Sequence, residues 1–258
     1  MYNLRLDNNL YINYKQQKYG NSNSPTILFI HGLMSDINGY KCEKIDEFCK
    51  LKKLNFVAFD NLGHGKSDGR LEEHNITSWL NTAKEVIQKL ELKNIILVGS
   101  SKGGLISLLL CQRLEEYISG QVLLAPAPDF TEYIYNNLPQ HYKDKLNQNS
   151  VIYIRQTEDF KGIPISKQLI EDGKAYILLN KEKININIPT IFIHGMADEY
   201  VSYKQSIILN DKIIAPFKSC KILQYSGHRL SSKADLKHIF ESIEEIIHFN
   251  NQALELNS

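Results

Sequence analysis

The chain has 258 residues, of which 43% are hydrophobic and 23% are charged, and its formal net charge is +1. This length fits one α/β domain with a sizeable core. The nearly balanced charge excludes the broad basic field of a nucleic-acid-binding protein, so we expect no nucleic-acid partner. The sequence holds no apolar run near the roughly 20 residues that cross a bilayer, and we expect no membrane span.

The first ten residues carry Asp7 and no apolar stretch of signal-peptide length. We therefore expect neither a secretory signal nor a transit segment, which predicts a cytoplasmic location. The four cysteines, Cys42, Cys49, Cys111 and Cys220, form no C-x-x-C pair. We expect buried thiols at these positions in preference to a disulfide or a metal site.

Short apolar runs alternate with helix-length amphipathic segments along most of the chain. The predicted elements are strand 2–6, strand 10–14, strand 26–30, helix 39–54, strand 55–59, helix 77–90, strand 94–98, helix 104–117, strand 121–124, strand 190–193, helix 204–214, strand 218–223 and helix 235–249. The first two strands form an antiparallel hairpin. The later strands, spaced by helices, predict an α/β fold with a mostly parallel central sheet and helices on both faces.

The interval 129–188 interrupts this alternation, because it is polar, rich in tyrosine and contains Pro139 and Pro164. It lies between two predicted core strands. We expect one domain over residues 1–258, with this interval forming a small lid of mostly helical pieces. Such a lid would cover the carboxyl ends of the strands, where open α/β sheets bind their ligands.

The pentapeptide G-S-S-K-G at 99–103 follows an apolar strand and precedes an apolar helix. This setting is typical of a nucleophile elbow, in which a sharp turn holds a serine hydroxyl above the sheet. The flanking positions need small residues because the turn is so tight. The pattern G-x-S-x-G is weak by itself, so Ser101 is a candidate nucleophile only if partners for it can be found.

Serine needs a general base, and the base needs an acid that orients it. In this type of fold the chain order is serine, acid, histidine. Asp198 follows the strand 190–193 and His228 follows the strand 218–223, which matches that order. We predict that Ser101 attacks, His228 moves the proton and Asp198 orients His228. Glu199 is the main rival for the acid, and Asp129 is a more distant one.

The backbone N–H groups of Leu33 and Lys102 are the predicted oxyanion hole, because one follows a core strand and the other follows the nucleophile. Two interpretations of the Lys102 side chain are open. It is either a solvated residue at the start of a helix or a cation that lines the pocket and attracts an anionic substrate. A Ser–Lys dyad is less favoured because His228 is available.

The remaining histidines of interest have structural interpretations. His31 and His194 each precede a glycine at a strand end, and we expect them to bond loop backbone. His64 lies in a turn in which Asp60 and Ser67 make local hydrogen bonds. The histidines show no metal-ligand spacing, so we predict no metal ion and no cofactor.

Together these motifs resemble the α/β-hydrolase superfamily. The resemblance is carried by H-G-L-M-S-D at 31–36, D-x-x-G-x-G-x-S-D-G at 60–69, G-S-S-K-G-G at 99–104, H-G-M-A-D-E-Y-V at 194–201 and S-G-H-R-L-S at 226–231. More narrowly, the chain looks like a bacterial relative in the branch of palmitoyl-protein thioesterases and acyl-glucuronide esterases. This resemblance implies the same triad and the same oxyanion donors. The chain departs from the branch at Lys102, where an apolar residue is expected, and this leaves the substrate preference open.

We therefore predict a serine hydrolase that cleaves carboxylic ester or thioester bonds through an acyl-enzyme on Ser101. Its partner is a small-molecule or acylated substrate, and its oligomeric state, monomer or dimer, stays open. The nearest alternative is a serine peptidase or amidase on the same fold, although no anchor for a peptide terminus can be identified. A catalytically silent ligand-binding protein is the other alternative, and it predicts a broken triad or elbow.

Overall fold

A computed structural model describes residues 1–154 and 162–256 of the chain. Eight described strands form the central sheet: β1 (Tyr2–Arg5), β2 (Tyr11–Gln17), β3 (Thr26–Ile30), β4 (Asn55–Phe59), β5 (Ile95–Ser100), β6 (Ile118–Leu124), β10 (Thr190–Gly195) and β12 (Lys218–Leu223). The short strands outside it are β7 (Ile152–Ile154), β8 (Ile163–Ile165), β9 (Ile184–Asn185) and β11 (Ile213–Ile214). The helices are α1 (Tyr40–Lys52), α2 (Ile76–Lys89), α3 (Lys102–Cys111), α4 (Phe130–Asn137), α5 (Gln140–Asn147), α6 (Lys167–Gly173), α7 (Lys204–Lys212) and α8 (Lys233–Leu256).

The strand order in the central sheet is β1-β2-β4-β3-β5-β6-β10-β12. The pairs β1–β2 and β2–β4 are antiparallel, and every other pair in the sheet is parallel. The predicted α/β fold, with its hairpin followed by a parallel sheet, is therefore confirmed. Parallel strands bury both faces, which explains why β3, β4 and the first four residues of β5 are almost entirely apolar.

Alternate side chains of each central strand enter two separate cores. Ile27 and Phe29 of β3 pack in the core that contains α1 and α8. Leu28 and Ile30 of the same strand pack in the core that contains α2 and α3. The sheet therefore lies between two helix layers, because successive side chains of a strand point to opposite faces.

The carboxyl ends of β5, β10 and β12 lie at one edge of the sheet, because these strands run parallel. The segments that follow these strands carry Ser101, Asp198 and His228. The topology thus brings three distant parts of the chain to the same edge, as the sequence predicts.

The interval 129–188 contains α4, α5 and α6, but also the antiparallel hairpin β7–β8. The prediction of mostly helical pieces is thus correct only in part, and positions 155–161 of the interval lie outside the described residues. Asp172 of α6 accepts hydrogen bonds from the N–H and the hydroxyl of Thr77 in α2. The function of this interval as a lid stays a prediction.

Two predicted helices end earlier than the apolar pattern indicates. The helix predicted over 104–117 ends at Cys111 and is followed by a 3-10 turn at Glu115–Tyr117. The helix predicted over 204–214 ends at Lys212, because Ile213 and Ile214 pair with β9 as a short parallel strand. In both places a buried apolar residue beyond the end of the helix continues the helical spacing: Leu114 after the first helix and Ile213 after the second.

All four cysteines are free thiols. Cys42, Cys49 and Cys111 are buried, whereas Cys220 is half-buried. Burial raises the pKa of the Cys42 thiol to about 12, so this thiol stays protonated and unreactive at neutral pH.

The helices within the described residues are all too short or too polar to cross a membrane.

Helix α3 begins directly against β3, and this close packing requires glycine at position 103. A Cβ at Gly103 would overlap the carbonyl oxygen of Ile30, which is backbone and cannot move aside. A Cβ at Gly99 would likewise overlap the carbonyl oxygen of Gly103. The small residues predicted on both sides of the turn are therefore required by steric contact.

We expect Gly103→Ala to lower the free energy of unfolding by at least ~3 kcal/mol, because α3 must move away from β3. The matched control is Gly39→Ala at the start of α1, where the nearest atom to a new Cβ is 3.5 Å away. Loss of that cap glycine should cost about 1 kcal/mol. Urea denaturation followed by circular dichroism measures both values, and equal losses for the two variants would contradict the packing argument.

Candidate active site

Ser101 connects β5 to α3 in a backbone conformation that non-glycine residues seldom adopt, with φ 55° and ψ −117°. The surrounding bonds hold it there. The Ser101 N–H donates to the Leu124 carbonyl at 2.8 Å, and its own carbonyl accepts from Ala127 N–H at 3.1 Å. Strain of this kind persists only where the neighbouring structure enforces it, and it is typical of functional sites.

Ser101, His228 and Asp198 form one continuous hydrogen-bonded relay. His228 Nε2 lies 3.0 Å from Ser101 Oγ. His228 Nδ1 lies 2.7 Å from Asp198 Oδ2. The first distance allows the Ser101 hydroxyl proton to pass to His228 Nε2, and the second allows Asp198 to hold the proton on Nδ1. The structure therefore brings together all three residues that the sequence analysis selected.

Asp198 receives four hydrogen bonds. Its Oδ1 accepts from the Tyr200 and Val201 N–H groups at 2.8 and 2.9 Å. Its Oδ2 accepts from His228 and, at 3.0 Å, from His194 Nε2. Burial raises the pKa of the Asp198 carboxyl, but the bonds from His194, His228 and Val201 lower it more, to well below its usual range. Asp198 is therefore ionised at neutral pH and fixed in orientation.

His194 was predicted only to bond loop backbone, and its contact with Asp198 was missed. The buried His194 ring lies between Asp198 and Ser206, with Nδ1 2.7 Å from Ser206 Oγ. Its Nε2 also lies 3.0 Å from the Val201 carbonyl, which is the expected backbone bond. The signal that could have found the second role is the four-residue separation of His194 and Asp198 within one turning loop.

The loop that carries His228 is anchored at both ends by Asp235, near the start of α8. Asp235 accepts a very short hydrogen bond from the Ser226 hydroxyl. Its other oxygen accepts from the Ser232 N–H at 2.9 Å. On the outer side of this loop lies a groove of about 970 Å³, lined in part by Tyr200 and Tyr225. Asp235 thus fixes both ends of the loop that carries His228.

The predicted oxyanion loop lies directly against the nucleophile. A Cβ built on Gly32 would be 3.3 Å from the Ser101 Cβ. His31 secures this loop, since its Nδ1 donates to the Gly32 carbonyl at 2.7 Å and its Nε2 accepts from Asn61 N–H at 3.0 Å. Among the described residues, the N–H groups of Leu33 and Lys102 donate to no other acceptor. Both are thus available to a substrate oxygen.

The side chain of Lys102 is buried, with 1% of its surface exposed. The prediction of a solvated residue at the start of the helix is therefore wrong. The ammonium lies 4.2 Å from the centroid of the Trp79 ring and has no hydrogen-bond partner among the described residues. Burial lowers the pKa of Lys102 well below its usual value. The prediction fails because the side chain packs against Trp79 of α2 instead of extending into solvent.

The two rival acids lie elsewhere. Glu199 is exposed and lines the outer groove. Asp129 is buried and accepts from the Leu178 and Leu179 N–H groups at 2.7 and 2.9 Å, which ties the start of the interval 129–188 to a later part of it. Neither carboxylate bonds to His228.

In the part of the chain that the structure describes, histidine, cysteine, aspartate and glutamate side chains form no group of three that could hold a metal ion. The pair His194 and His228 is held by the carboxylate of Asp198, and His31 and His64 are held by backbone carbonyls. These rings therefore already have partners within the protein.

The sequence matches the alpha/beta hydrolase fold family over residues 25–152. It is 30% identical over 225 residues to a Homo sapiens protein named palmitoyl-protein thioesterase ABHD10, mitochondrial, and the match covers 87% of this chain and 73% of that protein. The structure is similar to that of a hydrolase from Agrobacterium vitis S4, with a TM-score of 0.89 and 28% identity, over 95% of this chain and 98% of that chain. It is also similar to mouse alpha/beta hydrolase domain-containing protein 10, with a TM-score of 0.85 and 27% identity, over 96% of this chain and 98% of that chain. These similarities extend over most of the chain.

The buried histidines beside the oxyanion loop predict a loss of stability in mild acid. Burial, followed by the charge of Lys102, lowers the pKa of His31 to about 3 and that of His64 well below its usual value of about 6.5. Below pH 6.5 the unfolded chain binds protons at these rings that the folded chain does not. The free energy of unfolding should therefore fall by ~1.4 kcal/mol per pH unit for each such histidine.

Urea denaturation at pH 7.5, 6.0 and 5.0 measures this slope. His64→Gln should make the dependence of the unfolding free energy on pH less steep by the contribution of one histidine, ~1.4 kcal/mol per pH unit. The control is His248→Gln, an exposed histidine on α8, which should keep the wild-type slope. A wild-type stability that stays constant from pH 7.5 to 5.0 would show that these rings take up protons in the folded protein.

Proposed function

Because the chain belongs to the α/β-hydrolase superfamily, in the branch that contains the palmitoyl-protein thioesterases named above, we propose that it is a serine hydrolase of ester or thioester bonds. The observation that carries the proposal is the relay from Ser101 through His228 to Asp198, with distances of 3.0 and 2.7 Å. The reaction proceeds through an acyl-enzyme on Ser101.

In the first step, Ser101 Oγ attacks the acyl carbonyl carbon while His228 Nε2 accepts the hydroxyl proton. Asp198 keeps the proton on His228 Nδ1, so that Nε2 presents its lone pair to the serine. The same carboxylate stabilises the imidazolium that forms. The tetrahedral intermediate collapses when His228 returns the proton to the departing oxygen or sulfur.

The negative charge of the tetrahedral oxygen is accepted by the N–H groups of Leu33 and Lys102. Two observations support this assignment: Lys102 follows Ser101 at the first turn of α3, and Leu33 follows Gly32, which packs against Ser101. Removal of one such donor costs roughly 3 kcal/mol of transition-state stabilisation in serine hydrolases. In the second step His228 activates water, which releases the acyl group from Ser101.

The chain's own residues supply the nucleophile, the base, the acid and the oxyanion donors, so the proposed mechanism calls on no metal and no organic cofactor. For the substrate we propose an acylated or small-molecule ester or thioester. The human relative is named a palmitoyl-protein thioesterase, which supports a thioester of an acyl chain.

The interval 129–188 is proposed to act as the lid, since it follows β6, whose carboxyl end lies at the same edge of the sheet as the carboxyl ends of β5 and β10. Asp172 of α6 connects the interval to α2 through its hydrogen bond from Thr77. Asp129 accepts a hydrogen bond from Leu178 and so connects two parts of the interval itself. The cytoplasmic location stays a prediction, because the mammalian relatives are named mitochondrial.

We expect Ser101→Ala to lower kcat by about 10⁴-fold or more on every substrate that the wild type hydrolyses, because the acyl-enzyme cannot form. The measurement is a panel of p-nitrophenyl esters and acyl-thioesters of increasing chain length, with circular dichroism as the control for folding. Rising kcat/KM with chain length on thioesters supports a deacylating thioesterase. If Ser101→Ala still hydrolyses the panel, the reaction does not pass through an acyl-enzyme on Ser101.

Asp198→Asn should lower kcat by about 10⁴-fold, because the amide no longer holds His228 in the required tautomer. The neighbouring Glu199→Gln is the matched control, since it removes one carboxylate from the same loop and should change kcat less than twofold. Initial rates at saturating ester measure both variants. An equal loss of kcat in the two variants would show that Asp198 is not the acid that orients His228.

A further inference from the structure

The ammonium of Lys41 is hydrogen-bonded to the nucleophile elbow. Lys41 Nζ donates to the hydroxyl oxygen of Ser100 at 2.9 Å, and Ser100 directly precedes Ser101. Val98 and Ser100 point to the same face of the sheet, since side chains alternate along a strand, and Val98 packs in the core that contains α1 and α8. Lys41 therefore connects α1 to the strand end that carries the nucleophile.

The charge of Asp235 on α8 also acts on this ammonium. Burial lowers the pKa of Lys41 to about 8, and the charge of Asp235 limits the fall. The Asp235 carboxylate accepts hydrogen bonds from the Ser226 hydroxyl and the Ser232 N–H, which lie on either side of His228 in the chain. Lys41 is thus bonded to the elbow and attracted by the residue that anchors the loop of the base.

The position of Lys41 in its helix is electrostatically unfavourable. Lys41 is the second residue of α1, which follows the oxyanion loop. This loop runs from the end of β3 to Gly39 and includes Leu33, one of the proposed oxyanion donors. The first turn of a helix carries partial positive charge, which disfavours an ammonium there. A cation kept where burial and the helix dipole both oppose its charge indicates a functional role.

We propose that Lys41 is a positioning residue, which holds the nucleophile elbow in place relative to α1 and the His228 loop through Ser100 and Asp235. This inference rests on the proposed function. Proton transfer from Ser101 to His228 depends on the 3.0 Å separation of their side chains. A displacement of about 1 Å in an active site can lower the rate by ~100-fold. The loss should appear in kcat, because Lys41 acts through the elbow and the loop and not by binding the substrate.

The charge of Lys41 gives this role a pH dependence. Below pH 8 the ammonium is protonated and attracts Asp235. Above pH 8 the neutral amine can still donate to Ser100, but its attraction to Asp235 is lost. The wild-type kcat should therefore fall as the pH rises from 8 to 10. A side chain that only packs α1 against the sheet would cause no such fall.

The first test measures kcat and KM between pH 6 and 10 on an uncharged p-nitrophenyl ester, with rates corrected for hydrolysis without enzyme. At pH 7, Lys41→Met should lower kcat by at least tenfold and change KM less than threefold, and its kcat should not decline above pH 8. Lys41→Arg stays charged throughout this range, so it should retain more kcat than Lys41→Met and show no decline up to pH 10. Circular dichroism at each pH is the control for folding.

The matched control is Lys50→Met, which removes an exposed lysine from the same helix. It should keep the wild-type kcat and the wild-type pH profile. A decline of kcat above pH 8 that persists in Lys41→Met and in Lys41→Arg would overturn the role of the Lys41 charge.

A double-mutant cycle tests the connection through Ser100. Ser100→Ala removes the acceptor of the Lys41 hydrogen bond and should lower kcat at least threefold. Lys41→Met should then cost less in the Ser100→Ala protein than in the wild type, because the two changes remove the same interaction. Losses of kcat that multiply independently would overturn the connection through Ser100.

A wild-type kcat that stays constant from pH 8 to 10 overturns the positioning role and needs no variant to fold. A folded Lys41→Met protein with the wild-type kcat overturns it as well. In both cases hydrolysis that depends on Ser101 leaves the proposed function standing.

The rate at which a fluorophosphonate labels Ser101 separates the two proposals, because it reports the reactivity of the nucleophile without turnover. Labelling at least tenfold slower in Lys41→Met, in a protein that hydrolyses no ester or thioester, would overturn the proposed function and keep the role of Lys41. Equal labelling rates in the wild type and Lys41→Met would overturn the role of Lys41. A wild type that neither reacts with the label nor hydrolyses any substrate would overturn both.

Discussion

The approach of α3 to the carboxyl end of β3 is the contact on which the arrangement of the candidate site depends. Gly103 lies so close to Ile30 that backbone meets backbone without an intervening side chain. The same approach forces Ser101 into its positive φ and brings Gly32 against it. The nucleophile and the oxyanion loop are therefore placed relative to each other by main-chain packing, which leaves the neighbouring side chains free to vary.

The sequence predicts the central strands well, because β3 and β4 are buried on both faces and read as uninterrupted apolar runs. It also selects Ser101, Asp198 and His228, since each follows a parallel strand and such strands end at one edge. It does not reveal that His194 shares the Asp198 carboxylate, because that contact depends on how the loop after β10 turns back. Local spacing carries little information on the path of an irregular loop.

The errors share a physical origin, which is tertiary contact that overrides local pattern. One interpretation placed the Lys102 side chain in solvent, yet it is buried beside the Trp79 ring. Ile213 and Ile214 continue a helical spacing but pair with β9 instead. The hairpin β7–β8 within the interval 129–188 pairs two short runs that show no turn signal between them strong enough to predict it. Lys102 and Ile213 are placed by partners in other elements of the fold, whereas β7 and β8 are neighbours along the chain.

During synthesis, β6 leaves the ribosome long before β10, the strand that pairs with its free edge. His228 and Ser101 are separated by 127 positions, so the elbow emerges complete but without the base that lies opposite it. A nascent chain of this kind has an open sheet edge, which favours association with other unfolded chains. The last third of the polypeptide therefore adds β10 and β12 to the sheet and supplies both Asp198 and His228. A chain that stops before β10 leaves the edge of β6 exposed and Ser101 without its base.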